Sequence, residues 1–201
     1  DASRIVGYLN FAVLGLVALT GDVFLRRWVG ADFVADGYPV LLLVTAALLA
    51  DSLTTLPSLV NDGLGHPKIT GRFAIARGVL GVALVWLGIR WGGIVGAAAA
   101  HLLASLLMAA LFIGYVHGRT VPVTARDALR ACWWPGFVTA TCALLLALPL
   151  KWLLPDTLGG LLALASAGGL LLLAGGLAFI VRVDERAALR AVSRRLMPGA
   201  R

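Results

Sequence analysis

The sequence predicts an all-α fold in which six transmembrane helices form a polytopic membrane bundle. Of the 201 residues, 60% are hydrophobic and 13% are charged, and the mean hydropathy is +0.94. A soluble domain is about 45–50% apolar and about 25% charged. Six apolar runs approach the ~20 residues that a spanning helix needs. They are 5–24, 39–60, 73–91, 93–116, 133–154 and 158–181. None shows the alternation of a barrel strand, so helices are predicted.

Lys and Arg are unevenly divided between the two sets of loops. Of the 17 basic residues, twelve lie in the N-terminal segment, in the second and fourth loops and in the tail. Another lies inside the third run, and the remaining four are Arg26, Arg27, Arg90 and Lys151. The positive-inside rule therefore predicts a multi-pass protein of the inner or plasma membrane with both ends in the cytoplasm. The net charge of +7 does not indicate nucleic-acid binding, because the arginines sit at the ends of apolar runs.

Aromatic residues support these boundaries. Those at the predicted outer boundary are Trp28, Tyr38, Trp91 and Trp152, and those at the inner boundary are Trp133 and Trp134. The chain starts at Asp1, and no signal-peptide pattern precedes the first apolar run. We therefore expect this sequence to be a piece of a longer protein.

Glycines indicate where helices approach closely. Gly88, Gly92 and Gly96 form overlapping GxxxG spacings across a very short connection, which predicts a tight helical hairpin. The last apolar run carries the pairs 168–169 and 175–176, a small-residue stripe suited to packing on another helix.

The tail after the last apolar run has a different pattern. Asp184 can cap a short helix, and Arg186, Arg190 and Arg194 then repeat every four residues beside an apolar face. An amphipathic, Arg-rich helix of this kind is expected to bind the membrane surface. The alternative is a solvated tail with incidental periodicity.

Two charged residues lie at predicted membrane depth. Asp51 and Arg77 are about 15 Å and about 9 Å from the cytoplasmic surface by helical rise. Because an intramembrane charge costs at least ~2.5–3.5 kcal/mol, both are candidate functional residues and are predicted to pair. Two alternatives remain open, which are a purely structural pair and an Arg77 side chain that snorkels to the interface.

Three further residues complete the candidate set. Pro57 removes a backbone hydrogen bond and is predicted to kink the second helix as a hinge. Asn10 and His101 are weaker cavity candidates, because each could instead form an interhelical hydrogen bond.

No chemistry-bearing motif of an enzyme is present in the sequence. There is no nucleophile elbow, no HExxH, no Walker loop and no complete GxGxxG. Cys132 and Cys142 fall ~15 Å apart on one predicted helix and without a Cys/His cluster, so a structural role is predicted for both. Neither a catalytic site nor a metal or cofactor is predicted.

Three stretches together resemble the C-terminal part of a polysaccharide flippase of the multidrug/oligosaccharidyl-lipid/polysaccharide exporter superfamily. They are FLRRWVG at 24–30, LVNDGLGHPK at 59–68 and WGGIVGAAAA at 91–100. The resemblance covers about residues 5–117. It implies that 1–117 forms four helices of the second lobe of a two-lobe transporter, that 118–181 adds two transmembrane helices, and that 182–201 is the basic cytoplasmic tail.

The resemblance also implies a function and partners. A lipid-linked sugar would be moved across the membrane by alternating access, within surrounding lipid and together with the missing N-terminal half of the chain. Arg77 would be the cation in reach of the phosphate-bearing headgroup, and Asp51 a gating or ion-coupling partner. The alternatives are a polymerase or ligase of surface-polysaccharide assembly and a drug or small-solute exporter of the same superfamily.

Overall fold

The computed structural model describes residues 2–121, 123–155 and 157–180, and all of the secondary structure in these ranges is helical. The helices are α1 (Ala2–Trp28), α2 (Ala31–Gly63), α3 (Pro67–Arg119), α4 (Ala125–Ala128), α5 (Trp134–Leu153) and α6 (Leu158–Gly175). Two π-helical turns, Leu129–Trp133 and Gly176–Ile180, precede α5 and follow α6. Within the described ranges, five helical segments are long and apolar enough to cross a membrane, which indicates a membrane protein.

Helix α3 contains a sharp reversal in its middle. Gly92 and Gly93 leave helical geometry, and Gly93 has φ +57°, a left-handed conformation that favours glycine. A Cβ on Gly88 would collide with the carbonyl oxygen of Gly96, and a Cβ on Gly96 would collide with that of Gly88. The predicted glycine hairpin is therefore confirmed. It divides α3 into a first arm (67–91) and a second arm (94–119).

Helices α1 to α3 extend further than the apolar runs predict. The second run was predicted to begin at 39, but α2 begins at Ala31 and continues through Pro39. The connection from α1 is only two residues long, and Gly30 interrupts the helices with φ +132°. Charged residues end an apolar run without ending a helix, which explains the difference.

The main helix contacts form a row in the order α3, α2, α1, α5 and α6, with α6 also touching α1. One cluster of the apolar core lies between α1, α5, α6 and the π-helical turn after α6. Its buried members are Tyr8, Ala12, Ala140, Ala143, Leu172 and Ile180. The hydroxyl of Tyr8 donates a hydrogen bond to the carbonyl of Leu172 on α6. This row leaves the α2–α3 contact at one end of the described structure.

The small-residue stripe of α6 packs largely as predicted. A Cβ on Gly168 would lie 2.8 Å from the side chain of Leu16 on α1. One on Gly176 would lie 2.6 Å from the ring of Tyr8, whereas the position of Gly169 is open. The predicted tail residues Arg186, Arg190 and Arg194 lie outside the described residues.

Candidate functional site

An ion pair joins α2 to the first arm of α3. The guanidinium of Arg77 donates a hydrogen bond to a carboxylate oxygen of Asp51, so the predicted pairing is confirmed. Asp51 lies twelve residues before the end of α2 and Arg77 ten residues after the start of α3, depths of about 18 and about 15 Å by helical rise. The two residues are therefore nearly level across the antiparallel helices, and Arg77 turns to Asp51 instead of snorkelling outward.

The pair lies beside a cavity of about 150 Å³ between α2 and both arms of α3, and the apolar part of its walls includes Phe73, Met108 and Phe112. Its polar walls are formed by Asp51, Thr54, Ser58, Thr70 and Arg77. The hydroxyl of Thr54 donates to the carbonyl of Asp51 at 2.8 Å, and that of Ser58 donates to the carbonyl of Thr54 at 2.7 Å. Because these hydrogens are already used, the two oxygens present only lone pairs to the cavity, and Arg77 is its strong donor.

Arg77 also borders a second cavity, of about 360 Å³, between the two arms of α3. The other walls include Gly78, Gly81, His101 and Ser105. Open space surrounds the Cβ positions of both glycines, so their missing side chains widen this cavity. The predicted candidates Arg77 and His101 are thus brought to one cavity, and Arg77 lines both cavities together with Ala74.

The solvent exposure of the pair is intermediate. The side chain of Arg77 is 39% exposed and that of Asp51 is 19% exposed. Arg77 is therefore fixed by its carboxylate partner yet remains accessible from the cavities. A guanidinium in this position can hydrogen-bond a phosphate or carboxylate with two parallel N–H groups.

A buried asparagine organises the connection between α2 and α3. The amide nitrogen of Asn61 donates to the carbonyl of His66 and to the hydroxyl oxygen of Thr70, each at 2.9 Å. The Thr70 hydroxyl donates in turn to the Asp62 carboxylate at 2.6 Å, while Gly65 takes φ +87°. Asn61 was not predicted as a site residue. Its position in the resembling motif 59–68 was the available signal, and these contacts assign it a structural role.

A second ion pair was not foreseen. The ammonium of Lys151 on α5 lies 2.8 Å from the carboxylate of Asp22 on α1, and both side chains are largely buried. Lys151 is also 5.7 Å from the ring of Tyr38, whose hydroxyl donates to the carbonyl of Ala18 at 2.9 Å. The positive-inside count places Lys151 with the loop residues, whereas in the structure it lies in the last turn of α5. In the sequence, the only indication of this pair is that Asp22 and Lys151 carry opposite charges and lie near the same predicted outer boundary.

The remaining predicted residues lie apart from the Asp51–Arg77 pair. Asn10 is half-buried on α1 and lines neither of the two cavities. Pro57 is buried in α2, which continues as a helix through it, and lines a separate cavity. Its role as a hinge stays a prediction.

Neither a metal-binding cluster nor a similar protein gives a further indication of function. No group of three or more His, Cys, Asp or Glu side chains that could hold a metal occurs in the described part of the chain. No protein-family model matches the chain, and no curated protein or solved structure matches it. The fold and site therefore define an all-helical membrane protein with an accessible ion pair between α2 and α3. The flippase resemblance stays a prediction carried by its three motifs.

Proposed function

We propose that the chain is part of a flippase that moves lipid-linked oligosaccharide or polysaccharide precursors across the membrane by alternating access. It would act without a bound cofactor, driven by an ion gradient or by the substrate gradient. The observation that carries the proposal is the position of Arg77, paired with Asp51 and bordering two cavities between the helices.

The energetics of the pair support this reading. A charge inside a membrane is costly, and removing one partner of a buried pair strands the other. An anionic headgroup that enters the cavity would supply a replacement partner for Arg77. Asp51 would then lose its own partner, which is costly inside a membrane. Substrate binding would therefore change the stability of the α2–α3 contact. One arginine is sparse for a pyrophosphate, so the proposal also requires cationic residues in the other lobe of the transporter.

The proposal also includes a placement of the helices in the membrane. Each arm of α3 is about 25 residues long, and we propose that each arm crosses the membrane, which would give six crossings in total. The excess of basic residues would place both ends and the α2–α3 connection in the cytoplasm. Helices α1 to α3 would then belong to the second of two lobes.

The alternatives differ in what they require of the outer face. A polymerase or ligase would need a large outer loop with Arg and His, whereas the connections at 29–30 and 92–93 are very short. A drug or small-solute exporter would bind hydrophobic cations. Thermal-shift measurements with a lipid-linked sugar and with a hydrophobic cation separate a flippase from such an exporter, because only the former should be stabilised by the anionic substrate.

Complementation of a flippase-deficient strain by the full-length protein tests the proposal. We expect Arg77→Ala to abolish complementation at a normal membrane level and Arg77→Lys to restore it in part. The matched control is Arg72→Ala, which removes an exposed arginine from the same helix outside both cavities. Unchanged complementation by Arg77→Ala would overturn the proposal.

A further inference from the structure

An apolar cavity of about 370 Å³ lies beside the segment that connects α3 to α5. Its walls are Leu56, Pro57 and Val60 of α2, His117, Val121 and Val123 near the end of α3, and Asp127, Ala128, Ala131 and Trp133 of the segment before α5. The α2 residues lie one to two turns from the end of that helix at Gly63, about 5–10 Å by helical rise. In the membrane placement proposed above, this is the depth just below the phospholipid headgroups.

The connecting segment is held in place as one wall of this cavity. The amide of Asp127 donates to the hydroxyl oxygen of Thr124 at 3.2 Å, which caps α4. The Thr124 hydroxyl donates to the Asp127 carboxylate at 2.7 Å, so this acid already has a partner. The Nδ1 of His117 lies 2.8 Å from the carbonyl oxygen of Val123 and ties the segment to α3.

Trp133 was predicted to lie in the inner aromatic belt, but its side chain is only 6% exposed and lines the cavity. Its neighbour Trp134 is 58% exposed and is free to face lipid. The π-helical turn at Leu129–Trp133 lies directly before α5, and such turns are frequent at functional sites. The two tryptophans therefore offer one probe inside the cavity and one outside it.

Basic residues adjoin the walls of the cavity in sequence. Arg126 and Arg130 are exposed, lie one helical turn apart and directly precede the wall residues Asp127 and Ala131, and we call these two arginines the rim. Arg119 is exposed above the ring of Tyr115 at 4.6 Å. Asp127 is the one acidic residue between positions 117 and 134 of the sequence. An apolar cavity with a cationic rim at headgroup depth complements an amphiphile with an anionic head.

We propose that this cavity binds one acyl chain of an anionic phospholipid whose phosphate contacts Arg126 and Arg130. The proposal rests on the membrane placement described above and not on flippase activity, so either can fail without the other. Arginine binds phosphate with two parallel hydrogen bonds, and each basic residue near an anionic surface contributes favourably. A zwitterionic lipid fits the apolar walls equally well but carries no net charge for the rim.

Quenching of tryptophan fluorescence by brominated lipids tests the proposal. The full-length protein is reconstituted in nanodiscs that contain either phosphatidylglycerol or phosphatidylcholine with the same brominated acyl chains. The Trp133 contribution is the difference between the wild type and Trp133→Phe, and Trp134→Phe gives the matched contribution of an exposed tryptophan. We expect Trp133 to be quenched at lower fractions of phosphatidylglycerol than of phosphatidylcholine, and Trp134 to be quenched equally by both.

Removing the rim charges should abolish this preference. The double variant Arg126→Ala/Arg130→Ala should lose about 30-fold in relative affinity for phosphatidylglycerol. Lys68→Ala/Arg72→Ala is the control, because it removes the same charge from the same proposed membrane face outside the cavity. Native mass spectrometry should show one tightly retained phosphatidylglycerol in the wild type and none in the rim variant.

Three results would overturn the proposal. They are equal quenching of Trp133 by the two lipids, a preference that survives in the rim variant, and an equal loss in the Lys68/Arg72 control. If Trp133→Phe fails to fold, the lipid count from mass spectrometry on the rim and control variants decides the question alone.

Discussion

Replacing Asp51 and Arg77 singly and together measures what their ion pair contributes to the α2–α3 contact. The variants are Asp51→Asn, Arg77→Gln and the double variant, because the amides keep the shape and polarity of each side chain. Each single variant leaves one charge in the membrane region without its partner. The double variant removes both charges, so the coupling between the two sites can be calculated.

The magnitude follows from the exposure of the two side chains. Breaking a fully buried pair costs about 3–5 kcal/mol, whereas a fully exposed pair contributes about 0–1 kcal/mol. Asp51 is 19% exposed and Arg77 is 39% exposed, and we expect water in the adjoining cavities to screen the pair and reduce the buried value. We expect each single variant to lose about 1–2 kcal/mol of unfolding free energy and the coupling to be about 1 kcal/mol.

Steric trapping in lipid nanodiscs provides the unfolding free energies under conditions where the pair lies in a bilayer. Charge exchange gives an independent check, because Asp51→Arg with Arg77→Asp should be more stable than either single reversal. If the effects of the single amide variants simply add, or if the exchanged pair is no better than its parents, the two charges do not stabilise each other.

Three further predictions concern contacts outside the candidate site. Gly88→Val should destabilise the α3 hairpin by about 1–3 kcal/mol, because its side chain would collide with the Gly96 carbonyl, and thermal unfolding should show this loss. Asp22→Ala should cost about 1–2 kcal/mol by leaving Lys151 unpaired, and it should loosen α5 in hydrogen exchange; unchanged protection would contradict the pairing. Asn61→Ala should cost about 1–3 kcal/mol and speed proteolysis at the α2–α3 connection, and an unaffected cleavage rate would rule out its structural role.

The features that local spacing controls could be predicted from the sequence. Two adjacent glycines between apolar runs predict a reversal of the chain. The chain does reverse at Gly92 and Gly93. The pairing of Asp51 with Arg77 was also predictable, because a short connection makes their helices antiparallel neighbours. Depth along each helix then sets which charges meet.

The features that depend on contacts between distant segments could not be predicted. Asp22 and Lys151 meet only because α1 packs against α5, and no local pattern indicates this neighbour. The burial of Trp133 depends on how its π-helical turn packs against α1. In both cases the residue type is also typical of a membrane boundary. The sequence therefore provides no reason to expect a contact with a distant helix.

The helix ends were misjudged for a different reason. Apolar runs report the part of a helix that lies in hydrocarbon, and α2 continues beyond it in both directions. This error also affected the site, because Arg77 lies deeper from the start of its helix than the run predicts. The distances of the two charges from their helix ends are consequently more alike than the sequence indicated.

Direct measurement of flipping in proteoliposomes tests the central proposal. The full-length protein is reconstituted with a fluorescent lipid-linked oligosaccharide, and the fraction that reaches the opposite leaflet is measured for the wild type, Arg77→Ala and Arg72→Ala. We expect flipping by the wild type and by Arg72→Ala, and loss of flipping in Arg77→Ala. No flipping by the wild type would contradict the flippase proposal, and full activity of Arg77→Ala would contradict the role assigned to the ion pair.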